Sequence, residues 1–277
     1  MLTVLGFLIG TSLIAFGIIS GKAPAEIFLN KQGLAIVLGG TIASTFVSYP
    51  LREVLRAFVS YFVIFRSGSY DYVSAVDKMV SALRLYQREG VARLLSEVNS
   101  LKGFWIFKDG IQMLSNGYSK EETREVLEDQ VRWQMNREMK QHQLFGSMSR
   151  VAPAFGMIGT LIGLINMLIT LQNEPGQVGL GLAIALTTTF YGLALANMIF
   201  APISEKIKER AENNLMMETM EVEAVLMIYD KRNYVFARDK LAAYLSASNR
   251  KKVVAVAGKS IHVVNTSQTE TVAQSGN

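Results

Sequence analysis

The chain has 277 residues, half of them hydrophobic and 18% charged, with a net charge of +5. Soluble domains carry about 25% charged residues, and here the shortfall is local, because long stretches hold no charge at all. The lack of cysteine excludes disulfides and thiolate chemistry. The two isolated histidines, His142 and His262, argue against a zinc cluster, and the thinly spread cations argue against nucleic-acid binding.

In chain order, the first apolar segment runs from Leu2 to Ser20. A cleaved leader is the rival reading, since Ala23-Pro24-Ala25 resembles a cleavage site, but no basic region precedes the apolar run and that run is too long. A second apolar segment runs from Gly33 to Tyr49. Residues 51–150 follow with a helical pattern. The run Phe58–Phe65 is too short to cross a bilayer and suits a helix at the membrane surface or one buried among neighbours. Val76, Met79, Val80, Leu83 and Leu85 recur at helical spacing, and Gly90 marks a break. Ser119-Lys120-Glu121-Glu122 has the form of a capping box opening a long charged helix. That helix is predicted to run through Arg124, Glu128, Arg132 and Arg137 into a third apolar segment, Val151 to Leu171. The fourth, Val178 to Ile203, is predicted to continue past Pro202 through Lys206, Lys208 and Arg210.

A helix needs about 20 mostly apolar residues to cross a bilayer, and none of the four segments contains Asp, Glu, Lys, Arg or His. A charge at mid-membrane costs at least ~2.5 kcal/mol. The chain therefore reads as an all-α integral membrane protein with four transmembrane helices and a helical cytoplasmic domain. Its expected layout is 1–50 for the first two spans, 51–148 for the cytoplasmic domain and 149–203 for the last two spans. A cytoplasmic extension over 204–247 and a disordered tail over 248–277 complete it. Of the 28 Lys and Arg, only Lys22 and Lys31 lie between the first two spans, and none lies between the last two. The positive-inside rule then places both termini in the cytoplasm.

Gly156, Gly159 and Gly163 in the third span recur at intervals of three and four, a small-residue strip that permits close helix approach. Pro153 stands near the helix entrance, as a tolerated residue or a kink. The fourth span holds Thr187-Thr188-Thr189 and Gly192, with Pro202 beyond. Its hydroxyls either bond back to their own helix or face a polar path, and consecutive positions cannot all point one way. No span carries a carboxylate. If this chain handles ions, a partner must bring the ionisable group.

Ala185-Leu186-Thr187-Thr188-Thr189-Phe190-Tyr191-Gly192 with Pro202, and Pro153 with Gly156 to Gly163, resemble the MotA/PomA family of flagellar stator proteins, within the wider MotA/TolQ/ExbB group. Gly39-Gly40-Thr41, Ser48-Tyr49-Pro50 and Arg88-Glu89-Gly90 support the match, which covers about residues 1–245. The resemblance implies a bacterial inner-membrane pentamer around two copies of a peptidoglycan-binding B subunit of the MotB/PomB kind. That subunit's transmembrane aspartate carries the ion, and the pentamer's cytoplasmic charges push on the rotor switch protein FliG. It implies no enzyme activity and no cofactor beyond the transported sodium ion or proton. Pro153 and Pro202 match prolines that couple ion flow to movement. Thr189 matches a pore-lining threonine, and Thr160 and Thr188 match hydroxyl positions of sodium-type stators, so sodium is the expected ion and a proton the alternative. Gly156, Gly159, Gly163 and Gly192 are the expected packing glycines. The rotor-contact pattern departs at Gln87, Leu95 and Ser96, leaving Arg88 and Glu97 as candidates; an ordinary solvated helix face is the other reading of these two. The competing function is an energiser of an outer-membrane transport or envelope system, like ExbB and TolQ.

Overall fold

The computed structural model describes residues 2–21, 24–64, 70–101, 103–171 and 178–253. It is all-helical, with no strand among the described residues. The elements are α1 (Leu2–Ile19), a 3-10 turn (Ala25–Phe28), α2 (Lys31–Ser48), α3 (Leu51–Ile64), α4 (Tyr72–Ser100) and α5 (Trp105–Ser115). There follow α6 (Lys120–Leu171), α7 (Val178–Ala194), a π-helical segment (Leu195–Phe200), α8 (Ala201–Tyr229) and α9 (Tyr234–Ala242). Residues 247–253 are again helical and bury Val253, so ordered chain runs past the expected start of the tail. The remainder of the tail and the connection 172–177 lie outside the described residues.

Local chemistry sets the helix starts. Asn30 accepts from the amides of Gln32 and Gly33 to cap α2, and Asp71 caps α4 through Ser74. The expected capping box forms at the start of α6. The Ser119 amide and hydroxyl both donate to Glu122 Oε2, at 2.8 and 2.7 Å, and the Glu122 amide returns a bond of 3.3 Å to Ser119 Oγ. Those bonds to Ser119 hold the Glu122 carboxyl below its ordinary range. Gly90 interrupts α4 with φ +80°, a left-handed conformation that costs glycine little. The long helices predicted through Arg137 and past Pro202 are both present, as α6 and α8.

Among the described residues, three helical stretches are long and apolar enough to cross a membrane: Glu26–Ser48, Lys120–Ile169 and Val178–Tyr229. The apolar stretch of α1, Leu5–Ile19, is shorter than that length. Leu13, Phe16, Ile165, Leu168 and Ile169 are exposed along these helices, a surface that water disfavours and that lipid or a partner helix would cover.

The chain forms two compact units, residues 1–67 with 137–210, and residues 68–136 with 211–277. The first has a core of Val54, Ala57, Leu144, Phe145, Met148, Ala152, Ala196 and Phe200. The helix α3 thus buries one face in it and leaves Leu51, Leu55 and Val59 exposed. The second has a larger core, in which Met79, Leu83, Phe107, Ile111, Leu127, Met220, Ile228 and Leu241 pack together.

Two carboxylates belong to that second core. Glu218 and Glu221 are 6% and 1% exposed. The first turn of α5 lacks a side-chain cap of its own, and its orphan amides are served from α8: Phe107 N–H donates to Glu221 Oε2 at 2.9 Å. Trp105 Nε1 donates to Glu218 Oε1 at 3.2 Å. Burial raises the Glu221 carboxyl from the ordinary 4.5 to about 8, against the pull of the Phe107 and Ile106 amides.

Candidate functional site

Within the first unit, α6 and α7 pack antiparallel at backbone contact. A Cβ on Gly156 would lie 3.0 Å from the Thr188 carbonyl oxygen and 3.1 Å from Thr189 Cα. One on Gly159 would sit 3.0 Å from the Thr188 side chain, and one on Gly163 would sit 2.7 Å from Ala185 Cβ. From the other helix, a Cβ on Gly192 would meet the Ala152 carbonyl oxygen at 2.8 Å and Pro153 Cα at 3.1 Å. The glycines read from their spacing therefore face the threonine helix, and the absence of side chains sets the interaxial distance.

That closeness brings three hydroxyls together. Thr160 Oγ1 lies 2.6 Å from Thr189 Oγ1 and 3.1 Å from Thr188 Oγ1, and it reaches the carbonyl oxygens of Ala185 at 2.8 Å and Gly156 at 3.1 Å. Thr188 Oγ1 is within bonding distance of the same two carbonyls, at 2.7 and 3.1 Å, and Thr189 Oγ1 of Gly156 O at 3.4 Å. The three adjacent threonines thus divide the work. Thr187 bonds back to Ala183 at 2.7 Å. Thr188 does both, and Thr189 crosses to α6. The result is a cluster of three hydroxyl and two carbonyl oxygens. Each hydroxyl carries one proton and two lone pairs, so donation to the carbonyls leaves lone pairs available. None of the five residues is ionisable.

The two prolines bracket the same helix pair. Pro153 lies inside α6 against Gly192. Pro202 follows the π segment, where the Ala201 amide donates to Ala196 O, five residues back. Proline cannot donate within a helix, and a widened turn before it is one way to absorb the mismatch. Ser149 Oγ also donates to Ala196 O, at 3.2 Å, tying α6 to the π segment. Beyond it, His142 Nδ1 lies 2.9 Å from both Ser204 O and Ser204 Oγ, and Ser204 Oγ donates to His142 O. His142 is thereby a packing histidine.

An outer layer covers the cluster. The Thr188 methyl group occupies the space a Gly33 side chain would need, and the Phe155 ring does the same at Gly40. Tyr191 Oη accepts from the Asn30 amide at 2.9 Å and donates to the Phe28 carbonyl. In the sequence Tyr191 stands only as part of the family motif, and Gly33 only as the start of the second apolar segment. Their partners lie some 160 residues away in the chain, so no local signal marks them. Arg88 and Glu97 are exposed on α4, either side of the Gly90 break, and belong to the second unit, so the structure does not join them to the threonines. Gln87, where the pattern departs, donates to Arg232 O at 2.7 Å.

Fold and site together define a class: an all-helical protein with membrane-length apolar helices and an internal oxygen cluster that has no acid or base of its own. A family model described as the MotA/TolQ/ExbB proton channel family matches residues 103–220. The uncharacterized protein YtxD of Bacillus subtilis is 32% identical over 253 residues, 91% of this chain and 92% of the relative. Chemotaxis protein PomA of Vibrio alginolyticus is 28% identical, covering 90% of this chain and 96% of its own length. Among solved structures, C. jejuni MotAB has the same fold with TM-score 0.82 at 23% identity, covering 88% of this chain and 95% of that one. The flagellar MotAB stator complex from Bacillus subtilis has TM-score 0.83 at 20% identity, covering 91% and 99%. This chain belongs to the MotA/TolQ/ExbB proton channel family, in its MotA/PomA branch.

Proposed function

We propose that this chain is the channel-forming A subunit of a flagellar stator, coupling inward flow of a cation to torque on the rotor. The oxygen cluster of Thr160, Thr188 and Thr189 with the Gly156 and Ala185 carbonyls carries the reading. Such a cluster can replace part of a cation's hydration shell, yet it holds no group that captures and releases a proton. The ionisable group then comes from a B subunit inserted against the exposed apolar surface of α6 and α7. The fold neighbours named MotAB support that partnership. Named relatives that are motility and chemotaxis proteins favour a stator over an ExbB-like or TolQ-like energiser.

In this reading the chain crosses the bacterial inner membrane four times, with α1 as the first span and both termini in the cytoplasm. The copies assemble as a pentamer, and Arg88 and Glu97 face the rotor protein FliG. Sodium is the preferred ion, because hydroxyl and carbonyl oxygens suit a hard cation and a proton needs no such cage. The prolines at 153 and 202 act as the joints through which occupancy of the cluster bends α6 and α8. Co-expression with a peptidoglycan-binding B subunit in a stator-deleted strain tests the assignment. Co-purification and restored swimming are expected; purified chain that conducts cations alone would refute it. Thr160→Ala should raise the sodium concentration needed for swimming, and unaltered motility without sodium would refute the choice of ion.

A further inference from the structure

The polar connection before α2 docks at an unexpected depth. Thr187 Oγ1 is 3.4 Å from Ile27 O, Asn30 bonds Tyr191, and Gly33 packs on Thr188, so residues 27–33 lie level with the middle of the fourth apolar segment, Val178 to Ile203. From that level α6 continues from Gly159 to Leu171, and α7 begins at Val178, ten residues before Thr188. At 1.5 Å per residue these overhangs are about 15–18 Å. Lys31 and Gln32 are exposed at this depth. A bare lysine in mid-bilayer costs at least ~2.5 kcal/mol, so the site favours water beside it.

A cavity of about 210 Å³ opens at the same place. Asn30, Gln32 and Gly33 from α2 line it, with Gly159 and Asn166 from α6 and Thr188 from α7. Its lining follows α6 from Gly159 to Met167, about 12 Å. Thr188, at its inner end, is also a member of the hydroxyl cluster.

Asn30 supplies an independent observation. Its Oδ1 is engaged in capping α2, and its Nδ2 is buried without a protein acceptor. An unpaired buried donor costs about 1–3 kcal/mol, and water is the small acceptor that fits. At roughly 30 Å³ each, several waters have room, and Asn30, Gln32, Asn166 and Thr188 give them polar partners.

We infer that this cavity is a water-filled vestibule through which a hydrated cation passes from the outer face of the membrane to Thr188. The inference rests on the reading above for its cargo and for the span orientation that puts the cavity's opening on the outer side. A cation entering here keeps its hydration shell beside α2 and exchanges part of it for threonine and carbonyl oxygens at the cluster.

The natural absence of cysteine makes the test direct. Asn166→Cys, with Ile162→Cys as a second probe should the first fail to accumulate, is made in the full chain and assembled with the B subunit in intact cells. A membrane-impermeant cationic methanethiosulfonate is added outside. Lys31→Cys, exposed beside the cavity, is the reactive reference, and Phe16→Cys on the exposed apolar face of α1 is the unreactive one. Complete loss of free thiol at position 166 or 162, with Phe16→Cys protected, is the expected result. A free thiol at both cavity positions while Lys31→Cys is consumed would overturn the vestibule. Labelling reads solvent access alone, so a labelled cavity in a chain whose unsubstituted, unlabelled form fails to restore swimming with the B subunit would count against the stator reading and leave the vestibule standing.

Discussion

Glu221 makes the stability of the second unit depend on pH in a direction opposite to that of most carboxylates. Its carboxyl titrates at about 8 in the folded chain against 4.5 ordinarily. Between those values the folded state holds a proton that the unfolded chain has released, so stability falls as pH rises. The stabilisation is fully present below 4.5 and is lost as pH climbs through 8. For this pair of values the change between pH 6 and pH 8.5 is about 2.5 kcal/mol. With urea slopes of about 1–3 kcal/mol/M, the midpoint should move by roughly 1–2.5 M. Both tryptophans, Trp105 and Trp133, lie in this unit, and Trp105 bonds to Glu218 beside Glu221, so tryptophan fluorescence follows the unit selectively. Purified protein in detergent should unfold at lower urea at pH 8.5 than at pH 6. Glu221→Gln keeps an acceptor for the Phe107 amide, carries no proton equilibrium, and should flatten the difference. Equal midpoints for the wild type at both pH values would refute the argument, as would an unchanged pH dependence in Glu221→Gln.

Gly192→Ala places a methyl group 2.8 Å from the Ala152 backbone oxygen, where neither helix can yield by a rotamer change. Overpacking of this kind costs about 1–3 kcal/mol, and the assembled complex should dissociate at a lower temperature on size-exclusion chromatography after heating; an unshifted profile would count against backbone contact there. Tyr191→Phe removes the acceptor of the Asn30 amide and the donor to Phe28 O. Leaving those groups unpaired costs about 1–3 kcal/mol each, and amide hydrogen exchange should quicken over residues 28–34; unchanged protection would show that the outer layer is held by other contacts.

Much of this protein was legible because helix periodicity and apolarity are local properties. The uncharged runs, the Ser119–Glu122 capping box, the Gly90 break and the passage of α6 through Arg137 into apolar sequence all follow from residues within a few turns of one another. The glycine spacing also announced a close helix contact. Which threonine would cross it was not legible, because a hydroxyl on a helix can bond its own carbonyl or a neighbour's.

By itself, then, the order of residues determined helix positions, their apolar character and the want of an intramembrane acid. Tertiary structure alone decided that Thr160 meets Thr189, that Asn30 docks halfway along the fourth apolar segment rather than at its end, and that Glu221 caps a helix from another element. The physical reason is range. These contacts join residues 29, 161 and 114 positions apart, and their register is set by side-chain volume and hydrogen-bond demand across packed helices, which a 3.6-residue period does not encode.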